Sequence, residues 1–131
     1  MNRVVIAILS TVLVTACAAD ATEEGETEWS ASGERQALTF RLVASEPPTE
    51  GTNDFELVVT GERADEVDIF ARAVMPAMSH GEFPIQVDPL GGGHFQLMGV
   101  ELSMPGAWHI AIQADGTGEV VDWAELEIEV P

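Results

Sequence analysis

The chain has 131 residues, with five Lys+Arg against 23 Asp+Glu and a formal net charge of −18. That length holds one ordinary domain, and that charge argues against nucleic acid or an anionic bilayer held through a basic patch. Hydrophobic residues make up 46% of the sequence, too many for a wholly disordered chain, and a single cysteine excludes an intramolecular disulfide.

Residues 1–16 read as a bacterial lipoprotein signal peptide. Arg3 supplies the positive start, and Val4 to Val14 is an apolar run too short to cross a bilayer. Val14-Thr15-Ala16-Cys17 resembles a lipobox, in which the cysteine is lipidated and the chain is cut just before it. Each buried acyl CH₂ contributes about 0.8 kcal/mol, so a multiply acylated Cys17 is a stable membrane anchor. Ala18 follows where an aspartate would signal inner-membrane retention, so by the same resemblance a cell with two membranes would carry the protein on its outer one. Cleavage leaves Arg35, Arg41, Arg63 and Arg72 against the acids, and lipidation removes the only thiol from chemistry.

Residues 17–34 read as the lipidated cysteine and an acidic flexible tether, with Trp29 its one unusual residue. A coil of this length reaches roughly 20–25 Å from the membrane.

The domain proper, residues 35–131, shows period-two patterning broken by turn signals. Leu38, Phe40 and Leu42 alternate with polar residues up to Pro47-Pro48, and Phe55, Leu57 and Val59 alternate up to Gly61. Val67, Ile69, Ala71 and Ala73 lead into Met75-Pro76. A short strand, Phe83 to Val87, lies before Gly91-Gly92-Gly93, and Phe95 to Leu102 precedes Met104-Pro105-Gly106. Trp108, Ile110, Ile112 and Ala114 alternate into Asp115-Gly116-Thr117-Gly118, a hairpin signal. The last strand, Val120 to Val130, turns Leu126, Ile128 and Val130 inward and Glu125, Glu127 and Glu129 outward; Val121 and Trp123 sit on the other parity, which predicts a bulge near Ala124. No segment holds a helical period. Seven short strands predict an all-β, immunoglobulin-like antiparallel β-sandwich. The acidic outward positions predict a soluble monomer.

One constellation carries chemistry. Met75-Pro76-Ala77-Met78-Ser79-His80-Gly81 puts two thioethers and an imidazole within six positions, and Met104-Pro105-Gly106-Ala107-Trp108 lies two strands later. If successive strands alternate direction, both segments are connections at the same end of the sandwich; His94 belongs at the other end. Thioether and imidazole ligands suit Cu(I) and not Mg²⁺ or Ca²⁺, so Met75, Met78 and His80, or a set in which Met104 substitutes for one of them, form a candidate three-coordinate copper site that Trp108 would cap by a cation–π contact. Met75 also continues the inward parity of its strand, so the same methionines fit a packing role.

The segments MPAMSHG, Gly93-His94-Phe95 and MPGAW together resemble the YtkA-like, FixH-like family of small extracytoplasmic domains, over about residues 36–130. The resemblance implies an immunoglobulin-like sandwich and, since some relatives occur beside copper handling, Met75, Met78, His80 and Met104 as copper ligands. Two functions follow: a lipid-anchored Cu(I)-binding protein that delivers metal to an acceptor, or a non-metal interaction module of the cell envelope. Catalysis is not expected, because the sequence has no Gly-x-Ser-x-Gly, no His-Glu-x-x-His, no P-loop and no lysine. No EF-hand calcium loop is present either.

Overall fold

Alternation of apolar and polar residues becomes antiparallel pairing throughout this computed structural model, which describes residues 26–78 and 82–131. The strands are β1 (Thr27–Ser32), β2 (Leu38–Ala44), β3 (Gly51–Gly61), β4 (Asp68–Val74), β5 (Glu82–Gly91), β6 (His94–Leu102), β7 (Gly106–Gly116) and β8 (Glu119–Val130). Their hydrogen-bonded order is β1-β2-β3-β6-β5-β4-β7-β8, with every pair antiparallel. No helix occurs among the described residues.

The sheet folds into two layers through β5. Glu82 to Ile85 pair with β4, whereas Gln86 to Gly91 pair with β6. Each half of β5 has a strand on one side only, which is where a strand tolerates Pro84 and Pro89. The short strand expected at Phe83 to Val87 is therefore longer, Glu82–Gly91, and contributes one half to each layer. Inward residues of the two layers meet in a single core: Phe40, Leu42, Phe55, Leu57 and Leu97 from one, Trp108, Ile110, Ile112 and Ile128 from the other. Each such side chain contributes about 1.5–3 kcal/mol on leaving water. The class is the expected all-β sandwich.

The structure has eight strands where the pattern predicted seven. The extra one, β1, comes from the stretch assigned to the tether. Its residues Thr27, Trp29 and Ala31 face the core while Glu28, Ser30 and Ser32 face out, and Trp29 pairs with Leu42 on β2. Trp29 packs edge-on against Phe55, with ring centroids 5.9 Å apart at 73°. Such a pair contributes about 0.5–1.5 kcal/mol beyond its area, which helps hold a segment whose acidic composition alone predicts disorder. Cys17 and the signal segment lie outside the described residues.

The expected bulge in the last strand is also displaced. The register of β7 against β8 shifts between Ala114 and Asp115, leaving Val121 as the extra residue rather than one near Ala124. The consequence is chemical. Asp122 takes the inward parity of Ala124, Leu126 and Ile128 and is fully buried, while Trp123 faces out.

Asp122 is satisfied by backbone donors alone. Its Oδ1 accepts the N–H groups of Arg35 at 2.8 Å and Trp123 at 2.9 Å. Its Oδ2 accepts those of Ala37 and Leu38, both at 2.9 Å. The turn it grips joins β1 to β2 and carries Gln36 at φ 58°. Gly33 is obligatory there, because a Cβ would fall 1.9 Å from Asp122 Oδ2. The N–H of Glu34 adds a bond to the Trp123 carbonyl at 2.8 Å. Thus the first hairpin, at one end of the strand order, is tied to β8 at the other.

Burial raises the Asp122 carboxyl, but the bonds from Arg35, Leu38, Trp123 and Ala37 outweigh it and hold the group below the usual carboxylate range. A depressed folded-state value means that this stabilisation is complete above the unfolded value of about 3.9 and is lost as pH falls through the folded value. Asp122→Asn replaces one acceptor with a donor that faces N–H groups, so at pH 7 it should lower stability by about 2 kcal/mol or more. The gap between wild type and variant should start to narrow below the unfolded carboxylate value of about 3.9 and go on narrowing as pH falls through the lower folded value; urea unfolding across pH measures it.

Candidate functional site

The two methionine-bearing connections meet at one end of the sandwich. Met75 follows the last residue of β4 and keeps that strand's inward parity, so its side chain is buried at 5% exposure. A tight turn closes behind it, with the Met78 N–H donating to the Met75 carbonyl at 2.9 Å. Met78 is half-buried and packs against the core edge. The β6–β7 connection lies alongside. A Cβ on Gly106 would sit 2.9 Å from Met75 Cε, so the thioether methyl occupies the space that glycine leaves. Gly106 also adopts φ 126°, a conformation that side chains disfavour.

Trp108 fixes the second loop from beneath. It is 1% exposed, and its indole N–H donates to the Met104 carbonyl at 2.9 Å. Phe83, at the start of β5, stacks at a tilt on the indole, with centroids 6.1 Å apart. Met104 is 41% exposed. Met75 is therefore brought against the β6–β7 connection, and Met104 is held at that same end by Trp108. His80 lies outside the described residues, as do Ser79 and Gly81.

The remaining imidazoles are elsewhere. His94, at the β5–β6 turn, has Nδ1 3.0 Å from Glu56 Oε1. His109 is on the outer face of β7, the side opposite Trp108, with Nδ1 3.3 Å from Glu125 and Nε2 3.8 Å from Glu127. Among the described residues, no group of three or more His, Cys, Asp or Glu side chains is placed to hold a metal ion.

The two methionine loops lie within one family match. The YtkA-like family model covers residues 33–113, from the Asp122-bound turn to the middle of β7. The chain belongs to the YtkA-like family. No curated protein and no solved structure matches it at a significant level. For this YtkA-like domain, membership carries an extracytoplasmic setting and an accessory role. The match ends before β8, so Asp122 and Trp123 lie beyond it.

Two features escaped the sequence. A bulge near Ala124 would turn Asp122 outward; with the bulge at Val121 instead, Asp122 keeps the inward parity of Ala124, Leu126 and Ile128. Phe70 and Trp123 are outward aromatics on strands whose partners cannot be read from the chain order. Their parity was available as a signal; the adjacency was not.

Gly106→Ala combines an unfavourable φ with crowding of the Met75 methyl, so it should cost about 1–3 kcal/mol. Because the two residues touch, Met75→Ala should cost less in the Gly106→Ala background than in the wild type. A double-mutant cycle by chemical denaturation reads that coupling, and strict additivity would show that the contact is absent.

Proposed function

We propose that this YtkA-like domain is a lipid-anchored binding protein of the cell envelope, attached through Cys17, that takes up Cu(I) and hands it to an acceptor without catalysis. The reading rests most on one observation: the Met75–Met78 turn and the Met104–Gly106 connection abut, with the Met75 methyl seated over Gly106. Three thioethers at one end of a sandwich make a soft donor set, and outside the cytoplasm, where thiols oxidise, methionine is the durable soft ligand. Met104 is an exposed residue suited to first capture, Met78 a half-buried one, and His80 follows Met78 by two positions in the sequence. Trp108 holds the Met104 backbone in place through its indole N–H. Ligand exchange between thioethers lets such an ion leave, which suits delivery.

The burial of Met75 favours a second reading, in which the methionines pack the loops together and the domain docks a protein partner instead. The two part on a single titration. The detergent-solubilised full chain should take up one equivalent of Cu(I) under anaerobic competition with a chromophoric chelator. Met78→Leu with His80→Ala preserves most of the packing volume and should abolish stoichiometric uptake. Uptake also raises the thermal midpoint, because only a ligand of the native state stabilises it. Equal affinity in the double variant, or an unmoved midpoint on adding Cu(I), establishes the packing reading.

A further inference from the structure

The outer face of β4, β7 and β8 holds a groove that the metal reading leaves unused. Cross-strand register builds it. Phe70, Gln113 and Trp123 stand opposite one another across the three strands, and Arg72, Ala111 and Glu125 form the next row. Phe70 is 59% exposed and Trp123 40% exposed, an arrangement that water does not favour for two rings on one face. Between them Gln113 turns along its own strand, its amide donating to Asp115 Oδ1 at 2.9 Å. Ala111 keeps the floor low. The resulting groove has a volume of about 470 Å³, rimmed by Arg72, Glu82 and Glu125, which is in the size range of binding sites.

Its charge is one-sided. Arg72, the cation of the rim, is paired with Glu82. The remaining described arginines are engaged too: Arg41 with Glu28, Arg63 with Glu119, and Arg35 with the Val120 carbonyl. Glu125 lines the groove on β8, with His109 Nδ1 3.3 Å from its carboxylate, and Glu127 and Asp68 lie further along β8 and β4. The domain also shows what its outer tryptophan accepts. The Arg35 guanidinium lies 5.0 Å from the Trp123 ring centroid, although Arg35 does not line the groove.

We propose that this groove docks a basic segment of a partner protein, an arginine or lysine side chain lying between Phe70 and Trp123 with its charge toward Glu125. The aromatic walls supply cation–π attraction and cover the aliphatic stem, and the carboxylates steer the approach. Charge decides against the other occupants. A second copy of this chain carries the same −18, and residues 18–25 of the chain contain three acids and no cation. The proposal is independent of any metal at the methionine loops.

The test uses the full chain in nonionic detergent and an end-capped Arg-Ala-Arg-Ala peptide, followed by backbone and indole chemical shifts. Saturable shifts should be confined to residues 70–72, 111–113 and 123–125, and should weaken as salt rises. Phe70→Ala, at an exposed position, should lower affinity about tenfold, and Glu125→Gln severalfold. Glu46→Gln removes the same charge from the other layer and should leave affinity unchanged. Shifts spread over the whole acidic surface and indifferent to Phe70→Ala would overturn the proposal in favour of unspecific charge attraction. So would absence of binding, or groove shifts that grow with protein concentration before peptide is added, since these would make the occupant a second copy.

Discussion

A single buried carboxylate organises the closure of this sandwich. Asp122 accepts four backbone N–H bonds, three of them from the turn between β1 and β2, and so joins the two extremes of an eight-strand order. An antiparallel sheet of this length can remain open; what draws its ends together is partly the shared core and partly this clamp. The clamp works because four backbone donors, the buried one of Leu38 and part-buried ones of Arg35, Ala37 and Trp123, converge on one carboxylate. A charged acceptor suits them better than a neutral one, since hydrogen bonds to a carboxylate are shorter and stronger. Its cost, burial of a charge, is offset by four donors that converge on it.

Closure in turn sets where chemistry can occur. With β5 crossing from one layer to the other, the β4–β5 and β6–β7 connections fall at the same end. Trp108 then spans the core beneath them, packed by Phe83 and bonded to the Met104 carbonyl. The methionine end is thus a rigid floor with a softer rim, buried at Met75 and open at Met104. The groove belongs to a different surface, the outside of β4, β7 and β8. Loops at an end and an open sheet face are independent places to bind, and one small domain can use both.

The acidity of the chain takes on a more specific meaning in three dimensions. Arg41, Arg63 and Arg72 each pair with a glutamate, so the field beyond the surface is negative with little local relief. On β8, Glu125, Glu127 and Glu129 point outward along a strand at the end of the sheet order, where charges discourage pairing with another chain. The first of them, Glu125, borders the groove. Protection against aggregation and attraction of a basic partner are two effects of one row of side chains.

Much of the fold was readable from period-two alternation, because a half-buried strand shows its buried face at every second residue. Phe40, Leu57, Ile110 and Ile128 were placed inward by parity and are fully or almost fully buried. Turn chemistry placed the hairpin at Thr117-Gly118 for the same local reason. Composition misled at Thr27–Ser32, where acidity hid an alternation that Trp29 anchors against Phe55. The candidate ligands were also local, since Met75, Met78 and His80 share one short loop. Their nearness to Met104–Gly106, expected from alternating strand direction, needed the layers to close before Met75 could rest on Gly106. The Asp122 clamp and the Phe70–Trp123 groove depended entirely on that closure. One follows from a one-residue bulge that falls before Asp122 and leaves its inward parity intact, the other from strands adjacent in the sheet but distant in the chain. Alternation within a strand is written in neighbouring residues; register and strand order are settled by packing between distant ones.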